Sequence, residues 1–494
     1  MKQIRKIMIL SALCLTTQIR GTDAQIVLTM EKALEYSVDH NPDLRNSKMS
    51  LERYEYNLIA QRASLKSRFA LSLDPFSYSQ ERRFDNFQSQ WYTNISQSSS
   101  GTFSISQPII WSDATVSLNN RLSWQGNESD RGTSGTNSNR AFSNSLYLSI
   151  SQPLFTYNRT KMNLRSLELN YENSMISFAL QRLNVEKNIT NQFYSLYIAQ
   201  KNLDISDSEL EDAEKNYTII KDKVEADLAT KDELYQAELN LANSRSSAEN
   251  RRVGLEDSKD ALKQILGLDL NEDIMVSTTI EVEPVIIDME KAIQSAFATR
   301  LELRQREISR EQLDNDLIQT KDNDSFDGSV SLSLGIMGDN ENFQNVYDNP
   351  TNNPRVSVSF SVPIFDWGAR KSRIKAKQLE IDMHELSSEE ELKSIEISIR
   401  RSCRSLDNLL RQIEIAKQSE TNAQLTYDLN SERYRNGELT GMQMNQFQTQ
   451  LSSRKIAYSQ AQINYKIELL NLKILTLYDF EKDEPIVPLS NIQQ

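Results

Sequence analysis

The feature that most constrains this chain is a stretch it uses twice. Ser361–Leu379 reads SVPIFDWGARKSRIKAKQL and leads into a helical pattern that lasts to about Tyr434. Ser151–Leu169 reads SQPLFTYNRTKMNLRSLEL and runs on in the same way to about Val224. A constant offset of 210 relates the two. Pro153 matches Pro363, Phe155 matches Phe365, Lys161 matches Lys371 and Tyr217 matches Tyr427. Thr230 then matches Thr440, Leu241 matches Leu451 and Leu262 matches Leu472, with no gap. This is an internal duplication, which overrides any domain count drawn from length.

The helical part of each copy repeats every seven residues. The first series is Ile189, Leu196, Leu203, Leu210, Tyr217, Val224. The second is Ile399, Leu406, Ile413, Glu420, Tyr427, Tyr434, with one polar break. A seven-residue apolar period keeps one narrow seam against a partner helix and winds the pair left-handedly. A helix of about 65 residues is roughly 100 Å long, a strut or wall rather than a piece of a globular core.

Composition narrows the reading. Hydrophobic residues make up 38% of the 494, and no stretch is apolar enough to be a transmembrane helix. Lys2, Arg5 and Lys6 precede a short apolar run, Ile7–Thr17, and Thr22-Asp23-Ala24 offers a cleavage site before Gln25. That is the layout of a secretory leader. A disordered N-terminus is the alternative, and Cys14 could instead be a lipid-anchor cysteine. Once the leader is removed Cys403 is the only cysteine, so no disulfide forms within the chain. Its spacing between Ile399 and Leu406 marks it as a packed small hydrophobe. A net charge of −13 argues against nucleic acid as a partner. Two histidines, His40 and His384, leave almost no material for a metal site or a catalytic triad. Paired acids such as Asp322/Asp324 and Glu389-Glu390-Glu391 are read as solvated surface runs, and no cofactor is expected.

Thr29 is placed to cap a helix start at Met30-Glu31-Lys32-Ala33, which recurs at offset 259 as Asp288-Met289-Glu290-Lys291. Asn41-Pro42 opens a second helix through Leu44, Leu51, Leu58 and Leu65. Its counterpart from Leu303 carries Arg310 in the seam.

The period then changes from seven to two. Val330, Leu332 and Leu334 alternate with serines, as do Val356, Val358, Phe360 and Val362. Leu146, Leu148 and Ile150, and Val116, Leu118, Leu122 and Trp124, alternate with polar residues in the first copy. Alternation gives each strand an apolar and a polar face. A soluble sandwich would also alternate. Segments of about ten residues and a serine-rich polar face favour a membrane barrel with a water-filled lumen. Gly126–Arg140 and Gly338–Pro354 are polar and turn-rich, as external loops are. The offset falls from 259 to 210 between the strands, so the first copy carries 49 extra residues there. They include Thr102–Ile110 and Ala114–Gln125, a hairpin turning at Trp111–Asp113. One chain thus offers four to six strands. A closed membrane barrel needs at least about eight, and an open edge in lipid is forbidden, so several chains must close one barrel.

Each long helix ends in a short turn. In Arg433-Tyr434-Arg435-Asn436-Gly437-Glu438-Leu439-Thr440, Gly437 supplies the helix stop and Thr440 caps the returning helix. In the first copy Asp227 replaces the glycine and Thr230 is the cap. The returning helices keep the seam through Leu234, Leu241, Ala248, Leu255 and Leu262, and through Met444, Leu451, Tyr458, Tyr465 and Leu472. Basic residues Arg370, Lys371, Arg373, Lys375 and Lys377, just past a strand, could meet lipid phosphates or form a solvated helix face.

With QPLF at Gln152–Phe155, VPIFDWGARKSR at Val362–Arg373 and RYRNGELT at Arg433–Thr440, the mature chain resembles the TolC-type outer-membrane efflux proteins. The duplicated helix–strand–strand–helix order is the most specific part of the likeness. The resemblance implies an α+β membrane protein: a long α-helical coiled-coil barrel continuous with a transmembrane β-barrel formed by a trimer, with internal duplication. The organisation would be a signal peptide (1–24), a first repeat (25–266, strands about 69–154, extra hairpin about 101–125) and a linker (267–287). A second repeat (288–477, strands about 328–365) and a C-terminal tail (478–494) would follow. The implied protein is a passive exit duct in the outer membrane with its helical tunnel in the periplasm, not an enzyme. It would be a homotrimer surrounded by outer-membrane lipid, docked onto a periplasmic adaptor (membrane fusion) protein and served by an inner-membrane transporter. A surface adhesion protein built on a coiled coil is the alternative. Arg433, Tyr434, Gly437, Thr440, Asp227 and Thr230 would belong to the adaptor-docking tip. Family members often place an acid six residues past the tip glycine, facing the closing pore. Here that position is Gln443, with Gln446 one turn on, and its first-copy equivalent is Glu233, beside Asp232. These four would form the periplasmic gate. The two acids could equally be helix caps that face water.

Overall fold

The computed structural model describes residues 26–86, 89–130, 136–278, 280–436 and 438–486. The expected leader, Cys14, Gly437 and the end of the tail lie outside them. The duplication sets the lengths of the main helices. Arg159–Glu225 (α3) and Ala369–Arg435 (α7) have 67 residues each, and Lys231–Leu266 (α4) and Gly441–Thr476 (α8) have 36 each, every boundary displaced by 210. The long helices are therefore about 100 Å long. Shorter pairs precede them: Met30–His40 (α1) and Pro42–Ser64 (α2), then Met289–Thr299 (α5) and Leu301–Asp322 (α6). Two compact units cut across both repeats, one of residues up to Met49, Ser177–Leu301 and Leu392 onward, the other of Ser50–Ile176 and Glu302–Glu391.

The first unit holds the apolar seams. Ile189, Phe193, Leu196 and Leu262 are fully buried, and Leu28, Ile274 and Val276 complete their cluster. Each such side chain contributes roughly 1.5–3 kcal/mol by leaving water. The seam extends to Ile399, Leu406, Tyr465 and Leu472 in the second repeat. Ile26–Leu28 (β1) pairs parallel with Ile274–Val276 (β6), and Tyr478–Asp479 (β10) pairs with Glu484–Pro485 (β11). Thr29 and Asp288 cap α1 and α5 through Lys32 and Lys291 amides. Gly267 ends α4 at φ +75°, where a Cβ would collide with the carbonyl oxygen of His40. Asn41 ties the α1–α2 junction to the same helix end by donating to the Ile265 carbonyl at 2.6 Å.

Two lysines are buried here with partners. Lys259 Nζ donates to Asp273 at 2.8 Å and Glu256 at 3.0 Å, and Lys263 Nζ donates to the Leu270 carbonyl at 2.9 Å. Burial pulls the Lys259 pKa down, but the hydrogen bonds to Asp273 and Glu256 outweigh it and leave the ammonium held above its ordinary range. Lys473, the equivalent of Lys263 in the second repeat, donates to Asp479 at 2.7 Å. Cys403 is buried, and burial pushes its thiol up.

The second unit carries the main sheet. Arg68–Asp85 (β2), Gln90–Ile109 (β3), Ala114–Asp130 (β4) and Thr136–Leu154 (β5) form an antiparallel meander. Asp327–Asn340 (β7) then joins β5, and Thr351–Asn352 (β8) and Arg355–Ser361 (β9) both pair with β7. β8 and β9 share one register on β7: Ile336 faces Asn352, Asn353 N–H donates to the Gly335 carbonyl at 2.8 Å, and Leu332 faces Val356. They are one strand broken at Pro354, which has no N–H to give. Among the described residues the sheet is six strands wide, with β2 and the β8–β9 strand at its open edges.

Most strands are far longer than ten residues. The stretch read as a loop at Gly126–Arg140 is largely ladder, with Asn127 facing Asn139 and Glu128 facing Ser138. Its composition is that of a turn, but backbone pairing carried outward from the apolar hairpin prevails. Alongside the sheet, α3 and α6 are joined by polar pairs. Arg165 grips Glu311 through Nε and Nη2 at 2.7 and 2.9 Å, Arg304 reaches Glu172 at 2.6 Å, and Gln312 meets Asn170 at 2.8 Å. Arg310, the break in the α6 seam, bonds Glu385 at 2.8 Å.

Candidate functional site

The two tip turns share their main backbone bonds. At the end of α3, Leu228 N–H donates to the Lys223 carbonyl at 2.7 Å and Asp227 N–H to Val224 at 3.1 Å. Asp227 sits at φ +57°, the left-handed stop that glycine usually fills and that aspartate tolerates better than most. Thr230 Oγ1 then accepts from Glu233 N–H at 3.3 Å and starts α4. In the second repeat Glu438 N–H donates to Arg433 O at 3.0 Å, the same bond displaced by 210. Thr440 and Gln443 form a reciprocal capping box: Thr440 Oγ1 accepts from Gln443 N–H at 3.3 Å, and Gln443 Oε1 accepts from Thr440 N–H at 3.0 Å. Arg433 pairs with Glu438 at 3.2 Å, both exposed, a contact worth little to stability.

Polar contacts tie the two repeats together near these tips. Tyr434 donates its phenolic hydrogen to Asn216 Oδ1. Gln448 donates to Asp212 at 2.7 Å and Asn445 to Asn240 at 2.5 Å; within the first repeat, Arg245 pairs with Glu214 at 3.4 Å. Burial pushes the Tyr434 phenol up, so it remains a donor. Sequence reading missed Asn216, Asp212, Asn240, Asn445 and Gln448. Polar residues beside an apolar seam look like solvated positions until the partner helix is known.

Asp232, Glu233, Gln443 and Gln446 are all exposed. The structure joins Glu233 to Thr230 and Gln443 to Thr440. Among the described residues no hydrogen bond joins the two acids to the two glutamines. Gln443 is committed to its cap. Both acids lie in the first turn of α4, where the helix dipole favours negative charge.

The sheet has two chemically distinct faces. One rung of paired residues runs Phe69, Ile105, Leu118, Leu148, Leu334 across five strands. The next runs Arg68, Ser106, Ser117, Ser149, Ser333, Arg355 across all six. Ser117 and Ser149 are hydrogen-bonded at 3.1 Å, and Ser329 and Ser359 at 2.8 Å. Leu71, Leu73, Leu334, Val356 and Val358 are all exposed. Phe155, Phe326 and Phe360 cluster at the end of the sheet next to the helices, and Phe142 meets Phe343 towards the other end. Exposed apolar surface between aromatic groups is the pattern of a wall in contact with lipid.

The helix starts beside the sheet are capped differently. Asp366 accepts from the amides of Gly368 at 2.9 Å and Arg370 at 2.7 Å. Those bonds hold its carboxyl below the usual range. The first repeat has threonine at the equivalent position. There Asp113, from the β3–β4 turn, accepts from Thr160 N–H at 3.0 Å and Arg159 N–H at 3.3 Å.

The basic run past β9 is partly engaged with protein. Arg370 donates to the Lys321 carbonyl at 2.6 Å, Arg373 pairs with Asp324, and Lys377 bonds Glu380 at 2.7 Å, while Lys371 and Lys375 are exposed. Asp322, Asp324 and Glu391 are ion-paired rather than simply solvated. His40 stacks on Tyr36. Among the described residues no group of acids, histidines and cysteines could hold a metal, and no helix is long and apolar enough to cross a membrane.

Duplicated long helices and a two-faced sheet define a class, and the sequence places the chain within it. The profile of the outer membrane efflux proteins matches residues 115–268 and 292–476, and the chain belongs to that family. The resemblance read from the repeated motifs is thereby confirmed, and the family is one of channels, not enzymes. No curated sequence matches the chain. Among solved structures, the CmeC outer membrane channel of Campylobacter jejuni superposes with a TM-score of 0.70 at 16% identity, over 94% of this chain and 88% of that one. The outer membrane protein VceC of Vibrio cholerae gives 0.64 at 12% identity, over 93% and 97%. The open MtrE outer membrane channel of Neisseria gonorrhoeae gives 0.66 at 14%, over 92% and 90%. At such identities the likeness speaks to fold.

Proposed function

We propose that this outer-membrane efflux protein is the passive exit duct of a tripartite efflux or secretion system. Three copies close a transmembrane β-barrel, and their long helices form a coiled-coil tunnel in the periplasm. A periplasmic adaptor and an inner-membrane transporter complete the path and supply the energy. The observation that carries this reading is the sheet: one face apolar and exposed, the other lined with serine, and both edges open. Unpaired edge amides and carbonyls are not tolerated in lipid, so the edges call for further copies. The test is a heat-modifiable trimer in outer-membrane extracts, with ion conductance in planar bilayers. A monomeric mass for the channel-active species overturns the reading.

Within it, Arg433, Tyr434, Thr440, Asp227 and Thr230 are assigned to the adaptor-docking tip, because they stand where the long helices turn back, and Gly437 is assigned with them from its place in the sequence. Asp232 and Glu233 are assigned to the periplasmic mouth with Gln446. Gln443 contributes chiefly as a cap. Threefold symmetry would gather three copies of each acid at a constriction and draw cations to it.

A further inference from the structure

The 49 residues added to the first repeat could have formed a decoration outside the membrane. We infer instead that the β3–β4 hairpin is built into the barrel wall, so that each protomer contributes six strands and three copies close a barrel of eighteen. This rests on the exit-duct reading above.

Three observations carry it. The first is pairing. β3 is hydrogen-bonded to β2 along its length with one irregularity between Asp74 and Ser77, and β4 is paired without interruption to β3 and β5. If the hairpin left the sheet, β2 would lose its one partner among the described residues, and β5 would keep β7 alone. The second is chemistry. The hairpin carries the same two faces as its neighbours: Ile105 and Leu118 continue the apolar rung, and Ser106 and Ser117 continue the serine rung. Where Gly101 leaves the apolar face bare, Leu73 lies against it, 3.2 Å from where a Cβ would be. A hairpin lying in water would have no need of an apolar face. The third is anchorage. The hairpin's turn lies at the start of α3, where Asp113 caps the helix, Asn158 donates to Ile110 O at 2.6 Å, and Gln152 donates to Ser112 O at 2.7 Å. The hairpin therefore begins level with the other strands.

The consequence is a wide duct. Barrel diameter grows roughly linearly with strand number, so the six-stranded protomer gives a wall about 1.5 times wider than four strands per copy would give, in the range where an aqueous channel stays open. Its lining on the hairpin includes Ser104, Ser106, Ser117, Asn119 and Arg121, polar throughout. Bulky hydrophilic cargo is the class such a lumen passes.

Single cysteines test this in a Cys403→Ser background, whose other cysteine, Cys14, lies in the expected leader. Ser104 faces Asn119, and Ile105 faces Leu118 on the next rung. In trimers reconstituted in lipid, Ser104→Cys and Asn119→Cys should react with a water-soluble maleimide. Ile105→Cys and Leu118→Cys should react at least an order of magnitude more slowly, and their attached fluorophores should be quenched by lipid-borne bromine. Wild-type trimers viewed down the axis by electron microscopy should show eighteen strands. Equal reactivity at all four positions, or a twelve-stranded wall, in protein that still conducts overturns the inference and leaves the exit duct standing. Loss of both trimer and conductance in the wild type overturns both.

Discussion

Tyr434 and Asn216, one on each long helix, meet side chain to side chain near the tips and so join the two repeats. The phenol is half-buried and its partner oxygen faces it, so the contact is a latch between the helices rather than a surface ornament. Tyr434→Phe removes the donor and leaves the Asn216 oxygen without it, a loss of about 1–3 kcal/mol that falls on the tip alone. Amide exchange should speed up around residues 212–220 and 430–436 while trimer assembly is unchanged. Because burial raises the phenol's pKa, the stability linked to the neutral, buried phenol is fully present below the ordinary tyrosine range and is lost as pH rises through the higher folded value. Exchange measured against pH checks this: wild type should loosen only in strong alkali, and Tyr434→Phe should show no such transition.

Lys473 and Asp479 predict the opposite direction of pH dependence. Burial of Asp479 acts to raise its pKa, but the hydrogen bond and charge of Lys473, with the amides of Lys482 and Glu481, bring the net shift below the ordinary carboxylate range. A depressed carboxylate stabilises the folded state above its unfolded pKa, and that contribution is lost as pH falls through the folded value. Thermal unfolding of the wild type should therefore weaken in acid. Asp479→Asn should flatten that dependence and lower Tm at neutral pH, where the buried position loses the carboxylate that pairs with the partly exposed Lys473.

Asp113 and Asp366 predict a matched pair of effects. Each caps a 67-residue helix through two backbone amides. Alanine at either position should cost about 1 kcal/mol, the usual loss of an N-cap. Asp113→Ala should also free the β3–β4 turn, seen as faster proteolysis at residues 110–113, whereas Asp366→Ala should leave that turn protected. Equal protection in both variants would count against the tie.

Asp232 and Glu233 predict a selectivity. In planar bilayers the double variant Asp232→Asn/Glu233→Gln should lose cation preference and become insensitive to a trivalent cation on the periplasmic side. Unchanged selectivity and block would reduce the two acids to helix caps.

The sequence shows the long helices clearly because a period of seven, kept through Ile189, Leu196 and their equivalents at offset 210, requires a continuous seam. The caps at Thr230 and Thr440 are equally local and equally legible. What it hides is contact over distance. Asp113 lies 46 residues before the helix it caps, and nothing near Arg159 announces it. Asn216 looks like a solvated residue until Tyr434 is placed beside it. Asn127 and Glu128 have the composition of a loop, and only the ladder with β5 makes them strand. The proposed gate is the least legible part, because it would exist between copies rather than within one.

The break at Pro354 has a consequence for how copies part. Asn353 turns its amide towards β7, so the amides of Asn352, Val356, Val358 and Phe360 turn towards the open edge, and at Pro354 that edge has no hydrogen to offer. In a barrel closed by identical copies, the joint is continuous from Val356 to Phe360, near the helices, and interrupted above. A seam with one weak tooth opens from that tooth. Heat or detergent should unzip neighbouring copies from the outer rim inward, and the last bonds to yield should be those nearest the helices.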